Sequence, residues 1–143
     1  MTTAIIGTGG LGSVIARQLA AGGETLRLAS ADNDSARTLA AQIGHAAVVA
    51  ASDSDALQGS GAVILALRFT VLKGVIDQIA APLAGRLVVV PSNPLTVDAH
   101  GNVMRVLPEG QSSGNVVTGW LAPGGTPGHG VRKPVGRPLR VRQ

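Results

Sequence analysis

The glycine-rich stretch Gly7-Thr8-Gly9-Gly10-Leu11-Gly12, with Gly7, Gly9 and Gly12 in G-x-G-x-x-G spacing, restricts the fold more than any other feature. Ahead of them, Thr3-Ala4-Ile5-Ile6 is a short apolar run of strand type. Behind them, Leu11, Val14, Ile15 and Leu19 recur at helical spacing and predict one apolar stripe laid on a sheet. Strand, glycine turn and helix form the context in which a G-x-G-x-x-G spacing reads as a dinucleotide-binding loop. Gly7 suits the tight turn, Gly9 leaves room for a pyrophosphate, and Gly12 lets helix and strand approach closely. The unpaired N–H groups at the helix start, with the positive end of its dipole, then face the phosphates.

The rest of the chain repeats this alternation. Gly22-Gly23 stops the first helix, and Thr25 to Ala29 reads as a second strand. Asp32, Asn33 and Asp34 offer N-caps to a helix carrying Ala36, Leu39, Ala40 and Ile43, ended by Gly44. Ala46 to Ala50 is a third, weaker strand, and Ser52 to Gln58 predicts a short helical turn. Ala62 to Leu67 is the most apolar strand. Thr70 is the expected cap of the next helix, with Leu72, Val75, Ile76 and Ile79 on one face and Pro82 at its end. Leu87 to Val90 is a fifth strand, and Ser112 or Ser113 opens a last helix running to Leu121. Such alternation predicts an α/β fold with a doubly wound parallel sheet, built by right-handed crossovers in the strand order 3-2-1-4-5.

Apolar residues make up 45% of the chain, yet Phe69 and Trp120 are its only aromatics, so Val, Ile, Leu and Ala must build the core. The formal charge of +4 is unevenly distributed. Residues 124–143 hold five of the twelve Lys and Arg and no acid. The other 123 residues hold seven bases against eight acids, and 7 − 8 = −1. We therefore divide the chain into a nearly neutral body, 1–123, and a basic Gly/Pro/Arg-rich tail, 124–143, expected to be disordered. Within that tail Val131 to Val135 is a conceivable strand, but Pro134 argues against a central one. The neutral body speaks against a specific nucleic-acid partner. No apolar run is long enough to span a membrane, and a strand beginning almost at Met1 leaves no room for a signal peptide, so a cytoplasmic location is expected. Without cysteine there is no thiolate metal site or cysteine nucleophile. His45, His100 and His129 lack ligand spacing, so no metal is expected.

The expected topology brings four loops to one sheet edge: Gly7 to Gly12, Ser30 to Asp32, Leu67-Arg68-Phe69, and Pro91 to Leu95 with Asn93-Pro94. An acidic residue at the end of the second strand binds the ribose hydroxyls of NAD, whereas basic residues accept the 2′-phosphate of NADP. Ser30-Ala31-Asp32 stands there, with Arg37 one turn further on. Asp32 has two readings, a ribose ligand or a helix cap only. Phe69 likewise either stacks on a nicotinamide, the reading favoured by its place after a strand end, or fills the core. Trp120 reads as a packing residue.

Over residues 3–123 these features resemble the NADP oxidoreductases that act on the deazaflavin coenzyme F-420. The resemblance rests on Ile5 to Gly12, Ser30, Val63 to Phe69, and Val89 to Leu95 with its Ser92-Asn93-Pro94-Leu95 turn. It implies a Rossmann-type domain and direct hydride transfer between nicotinamide C4 and the deazaflavin ring. In that chemistry the cofactors react and the protein orients them, so no catalytic side chain is assigned. Leu67-Arg68-Phe69 and Asn93-Pro94 would flank the nicotinamide. The implied ligands are NADP or NAD, with coenzyme F-420 as co-substrate and a homo-oligomer as a conceivable assembly.

Three departures qualify this expectation. Ser30-Ala31 replaces the family's usual Ser-Arg, Ser35 replaces a frequent Lys, and Arg68 stands at a customary proline. Both charges that would meet a 2′-phosphate are thus missing, and NADH is expected to bind at least as well as NADPH. Beyond Pro123 the tail replaces the family's further strand and C-terminal part, as in a member cut short by a shift of reading frame. The alternatives to a working oxidoreductase are a dinucleotide-binding module without catalysis and an inactive truncated product.

Overall fold

A computed structural model describes residues 1–121. Five parallel strands form the central sheet: β1 (Thr2–Ile6), β2 (Thr25–Ala29), β3 (Ala47–Val49), β4 (Ala62–Leu65) and β5 (Leu87–Val89). Their order is β3-β2-β1-β4-β5, as expected from the alternation of elements. The remaining elements are α1 (Gly10–Ala21), α2 (Asn33–Ile43), α3 (Asp53–Leu57), α4 (Phe69–Gln78), α5 (Ala80–Leu83), a hairpin of β6 (Leu95–Val97) and β7 (Val103–Arg105), and α6 (Ser113–Leu121).

The strand pleat distributes the core between two layers. Ile5, Leu26, Leu28 and Ile64 point to the face covered by α1 and α2, where Ala16, Ala36 and Leu39 meet them. Ala4, Ile6, Val63 and Leu65 point the other way, toward Ala56 and Leu57 of α3, Leu72 and Ile76 of α4, and Val117 of α6. Alternate residues of one strand thus serve opposite layers, so the central strands are buried on both faces, while Leu87 and Val89 of the edge strand β5 stay exposed. Arg27 is the polar exception in β2. Its guanidinium reaches α3, donating to the Asp55 carbonyl at 3.0 Å and carboxylate at 3.2 Å.

Several local expectations need correction. Leu11 and Val14 are about half exposed, and α1 instead lays Gly12, Ile15, Ala16, Leu19 and Ala20 toward the sheet. The helix approaches so closely at Gly12 that even a methyl there would meet the Gly7 carbonyl. Arg68, not Thr70, is the N-cap of α4, and Pro82 lies within the short α5 rather than after a single helix. The β6–β7 hairpin was not anticipated. Its turn is held by Asp98, which accepts bonds from the backbone N–H of His100 (2.8 Å) and Asn102 (2.9 Å) and from the Asn102 amide. Those contacts, Asn102 first, hold the Asp98 carboxyl below its ordinary value. The expectations for residues 122–143 lie outside the described residues.

Candidate functional site

Strand register sets the edge at which the loops meet. Ile6 of β1 lies level with Ala29 of β2 and Leu65 of β4. The next residues continue the ladder, Gly7 N–H donating to the Ala29 carbonyl and Ala66 N–H to the Ile6 carbonyl, both at 2.8 Å. Gly7, Ser30 and Ala66 therefore leave the sheet side by side at its carboxyl edge. The switch between leftward and rightward strand order falls between β1 and β4, where the crevice of such sheets opens.

Each glycine of the loop meets different surroundings. Gly7 has φ 101°, a left-handed conformation, and a methyl there would strike the Ala66 carbonyl. At Gly12 a methyl would overlap the Gly7 carbonyl oxygen and come within 3.2 Å of the Ala66 side chain. Gly9 is the opposite case: a methyl there would have nothing within 4 Å. Two glycines are thus required by packing, and the third faces open space above the helix start. Gly9 is also the N-cap of α1, with no side-chain cap and no acid in the first turn. By contrast α2 and α3 are capped by Asp32 and Ser52. A twelve-residue helix with exposed Gly9 and Gly10 at its uncapped start suits an anion, so the residues fit a pyrophosphate.

Beside this loop stands a group of hydroxyls. Thr8, 6% exposed, has its Oγ1 2.6 Å from Ser35 Oγ, and Ser30 Oγ lies 3.5 Å from the same atom. Ser35 Oγ also lies 3.0 Å from the Asp32 carbonyl. Asp32 performs the capping role, Oδ1 accepting from Asp34 N–H at 3.0 Å. Arg37 turns to Asp34 at 3.6 Å on the exposed helix face. Ala31 is exposed and adds no charge.

On the other side of the crevice, Ser92 donates its hydroxyl to the Leu67 carbonyl and ties the loop after β5 to the loop after β4. Arg68 and Asn93 are exposed, while Leu67 and Pro94 are partly buried. Phe69 does not share that position. It is 4% exposed and packs in the α4–α6 core, its ring 5.5 Å from that of Trp120. Helix α4 begins at Phe69 itself, which turns the side chain into the sheet rather than toward the crevice. The packing role expected of Trp120 is observed in the same pair.

A cavity of about 410 Å³ adjoins the ends of β1, β2 and β4. Its apolar wall is Ile6, Leu67, Val75 and Ile79, and Ser30 and Asp53 lie on its polar side. Burial pushes the Asp53 carboxyl up. The sequence had marked neither Asp53 nor Ser35 as a site residue. Asp53 reads as the first residue of a short helix, and Ser35 as a missing lysine. Among the described residues no group of His, Asp and Glu could hold a metal ion, and no helix is long and apolar enough to cross a membrane.

Residues 2–94 match the family described as NADP oxidoreductase coenzyme F420-dependent. The chain belongs to that family. Its fold is also that of a protein from Arthrobacter sp. FB24 assigned as an F420-dependent NADP reductase, at 24% identity and TM-score 0.68, over 82% of this chain and 56% of that one. An imine reductase from Streptomyces aurantiacus is 30% identical with TM-score 0.56, over 66% and 33% of the two chains. An imine reductase from Myxococcus stipitatus, solved with NADP+, is 22% identical with TM-score 0.59, over 66% and 33%. No curated protein matches. The chain spans from about a third (33%) to just over half (56%) of the length of these solved relatives. Membership of the NADP oxidoreductase family makes residues 2–94 an NAD(P)-binding domain of oxidoreductase type.

Proposed function

We propose that this family member transfers a hydride between the nicotinamide of NAD(P) and a deazaflavin of the coenzyme F-420 kind. The single observation that carries the reading is the match of residues 2–94 to the NADP oxidoreductase family, whose glycine loop has the open Gly9 and crowded Gly12 that a pyrophosphate site needs. In this reading the uncapped start of α1 holds the pyrophosphate, and Ser30 to Asp32 take the adenosine ribose. The second carboxylate oxygen of Asp32 accepts a ribose hydroxyl while the first keeps its cap. Arg68, Asn93 and Pro94 orient the nicotinamide, while Leu67, which lines the cavity beside Ser30, is tied to the loop after β5 by Ser92. Bound there, the two cofactors would supply the chemistry, a hydride passing from dihydronicotinamide C4 to the deazaflavin ring with uptake of one solvent proton, while the residues named above would hold and align them. Such a reaction asks the protein for alignment rather than acid–base groups. The nicotinamide end fits that demand, since Arg68 is the only charged residue in its two loops.

The test is transfer of label. Reduced dinucleotide carrying deuterium at C4 is mixed with oxidised deazaflavin and the full chain. Expected is protein-dependent bleaching of the deazaflavin with deuterium recovered on its ring. Tight dinucleotide binding with no bleaching would instead favour a binding module without catalysis. The exposure of Arg68 and Asn93, with no second wall against them among the described residues, supports keeping that alternative.

A further inference from the structure

Beyond the glycine loop and the ribose edge lies a feature that pyrophosphate binding alone does not use. The cavity beside Ser30 and Ala31 has an apolar wall from three parts of the chain: Ile6 ends β1, Leu67 follows β4, Val75 lies on α4 and Ile79 caps that helix. One acid, Asp53, lines it from the start of α3. The cavity, about 410 Å³, is ample for a purine. A flat aromatic base gains from apolar walls, and the polar atoms on its edge then need partners. We propose that Asp53 holds the adenine of the dinucleotide by accepting a hydrogen bond from the exocyclic amino group of the base. This rests on the dinucleotide reading and deepens it by assigning a residue to the base.

Three observations support Asp53 in this role. First, its position: a ribose at Ser30 to Asp32 puts the attached base next to the cavity that Ser30, Ala31 and Asp53 line together. Second, its chemistry: an ionised carboxylate only accepts hydrogen bonds. It therefore pairs with the C6 amino group of adenine, whereas the carbonyl that hypoxanthine carries at that position has no proton to donate. Third, its environment: burial raises the Asp53 carboxyl, and its carboxylate has no hydrogen bond or ion pair among the described residues. Its neighbour Asp55 differs, being engaged by Arg27 and by the Ala51 N–H at 2.9 Å. A partly buried acceptor that faces a cavity gains most from a donor brought by a ligand.

The experiment compares NADH with its hypoxanthine counterpart, in which a carbonyl replaces the adenine amino group. Both are titrated into the full chain, the Asp53→Ala variant and the Asp53→Asn variant, and melting curves establish that each is folded. The wild type is expected to bind NADH about ten-fold or more tightly than the hypoxanthine form, as a hydrogen bond to a charged group allows. Asp53→Ala should bring the two affinities within about two-fold, mainly by weakening NADH. Asp53→Asn, whose amide both donates and accepts, should bind the hypoxanthine form better than the wild type does. Equal binding of both dinucleotides by the wild type, or full discrimination retained in Asp53→Ala, would overturn the assignment while leaving the dinucleotide reading intact. Failure of the wild type to bind either would overturn both.

Discussion

The hydroxyl oxygens of Thr8 and Ser35 lie 2.6 Å apart, joining the glycine loop to α2 where a 2′-phosphate of NADP would have to be neutralised. Uncharged hydroxyls take the place of the expected cation, Ala31 adds nothing, and Arg37 is turned to Asp34. A 2′-phosphate carries nearly two negative charges and binds best to a bidentate guanidinium. Each charge-assisted contact that is absent costs about 1.5–3 kcal/mol, roughly ten- to a hundred-fold in affinity. NADH should therefore bind at least as tightly as NADPH, and Ala31→Arg should shift the ratio toward NADPH by about ten-fold or more. Fluorescence titration of both reduced dinucleotides reads this directly. A wild-type preference for NADPH of ten-fold or more would refute it and indicate that Arg37 swings to the phosphate.

Gly9 and Gly12 should fail in different ways. Gly9→Val places its side chain in open space above the helix start, so the fold should survive while dinucleotide binding is lost. Gly12→Ala forces a methyl against the Gly7 carbonyl and should lower stability by about 1–3 kcal/mol. Chemical denaturation and dinucleotide titration of both variants separate the effects. Unchanged affinity in Gly9→Val would contradict the pyrophosphate assignment.

Phe69 should behave as a core residue. Its burial against Trp120 predicts that Phe69→Ala loses about 3–5 kcal/mol of stability. At temperatures where that variant remains folded, dinucleotide affinity should change less than about two-fold. A stable variant that binds poorly would return the ring to the nicotinamide.

The hairpin gives a pH-dependent signature. Asp98 accepts its turn bonds as a carboxylate, so its carboxyl sits lower in the folded chain than in the unfolded one. The stability this adds is present above the ordinary carboxylate value and is lost as pH falls through the depressed one. The amide resonances of His100 and Asn102 should accordingly move together on acidification, with a midpoint below 3.8. A midpoint at or above that value would contradict the turn.

Much of this architecture was legible because strands and helices alternate with clear punctuation. The glycine loop, the strand order and the four loops at the sheet edge all followed from it. What escaped has physical causes. The sheet-facing side of α1 consists partly of Gly12 and Ala16, residues too small to register in a hydrophobic period; Ile15 and Leu19 of the expected stripe do face the sheet, whereas Leu11 and Val14 widened it toward solvent. Each strand of the β6–β7 hairpin has only three residues, all of them exposed, and so carries no inward–outward alternation. The available signal was turn chemistry, an Asp98 followed by Gly101-Asn102 between two runs of strand formers. Asp53 was hidden because an acid opening a short helix looks like a favourable dipole partner, and its cavity exists only after α3, α4 and the sheet come together.

The central claim is that a nicotinamide dinucleotide lies across the carboxyl edge of this sheet. Its most direct test is a backbone amide map of the chain, labelled with nitrogen-15, during titration with NADH. The account predicts saturable shifts at Gly9 to Gly12, Ser30 to Asp32, Leu67-Arg68 and Ser92-Asn93, with residues at the opposite edge, such as Glu24 and Gly61, unmoved. Shifts at that opposite edge, or none at millimolar NADH and NADPH, would contradict it.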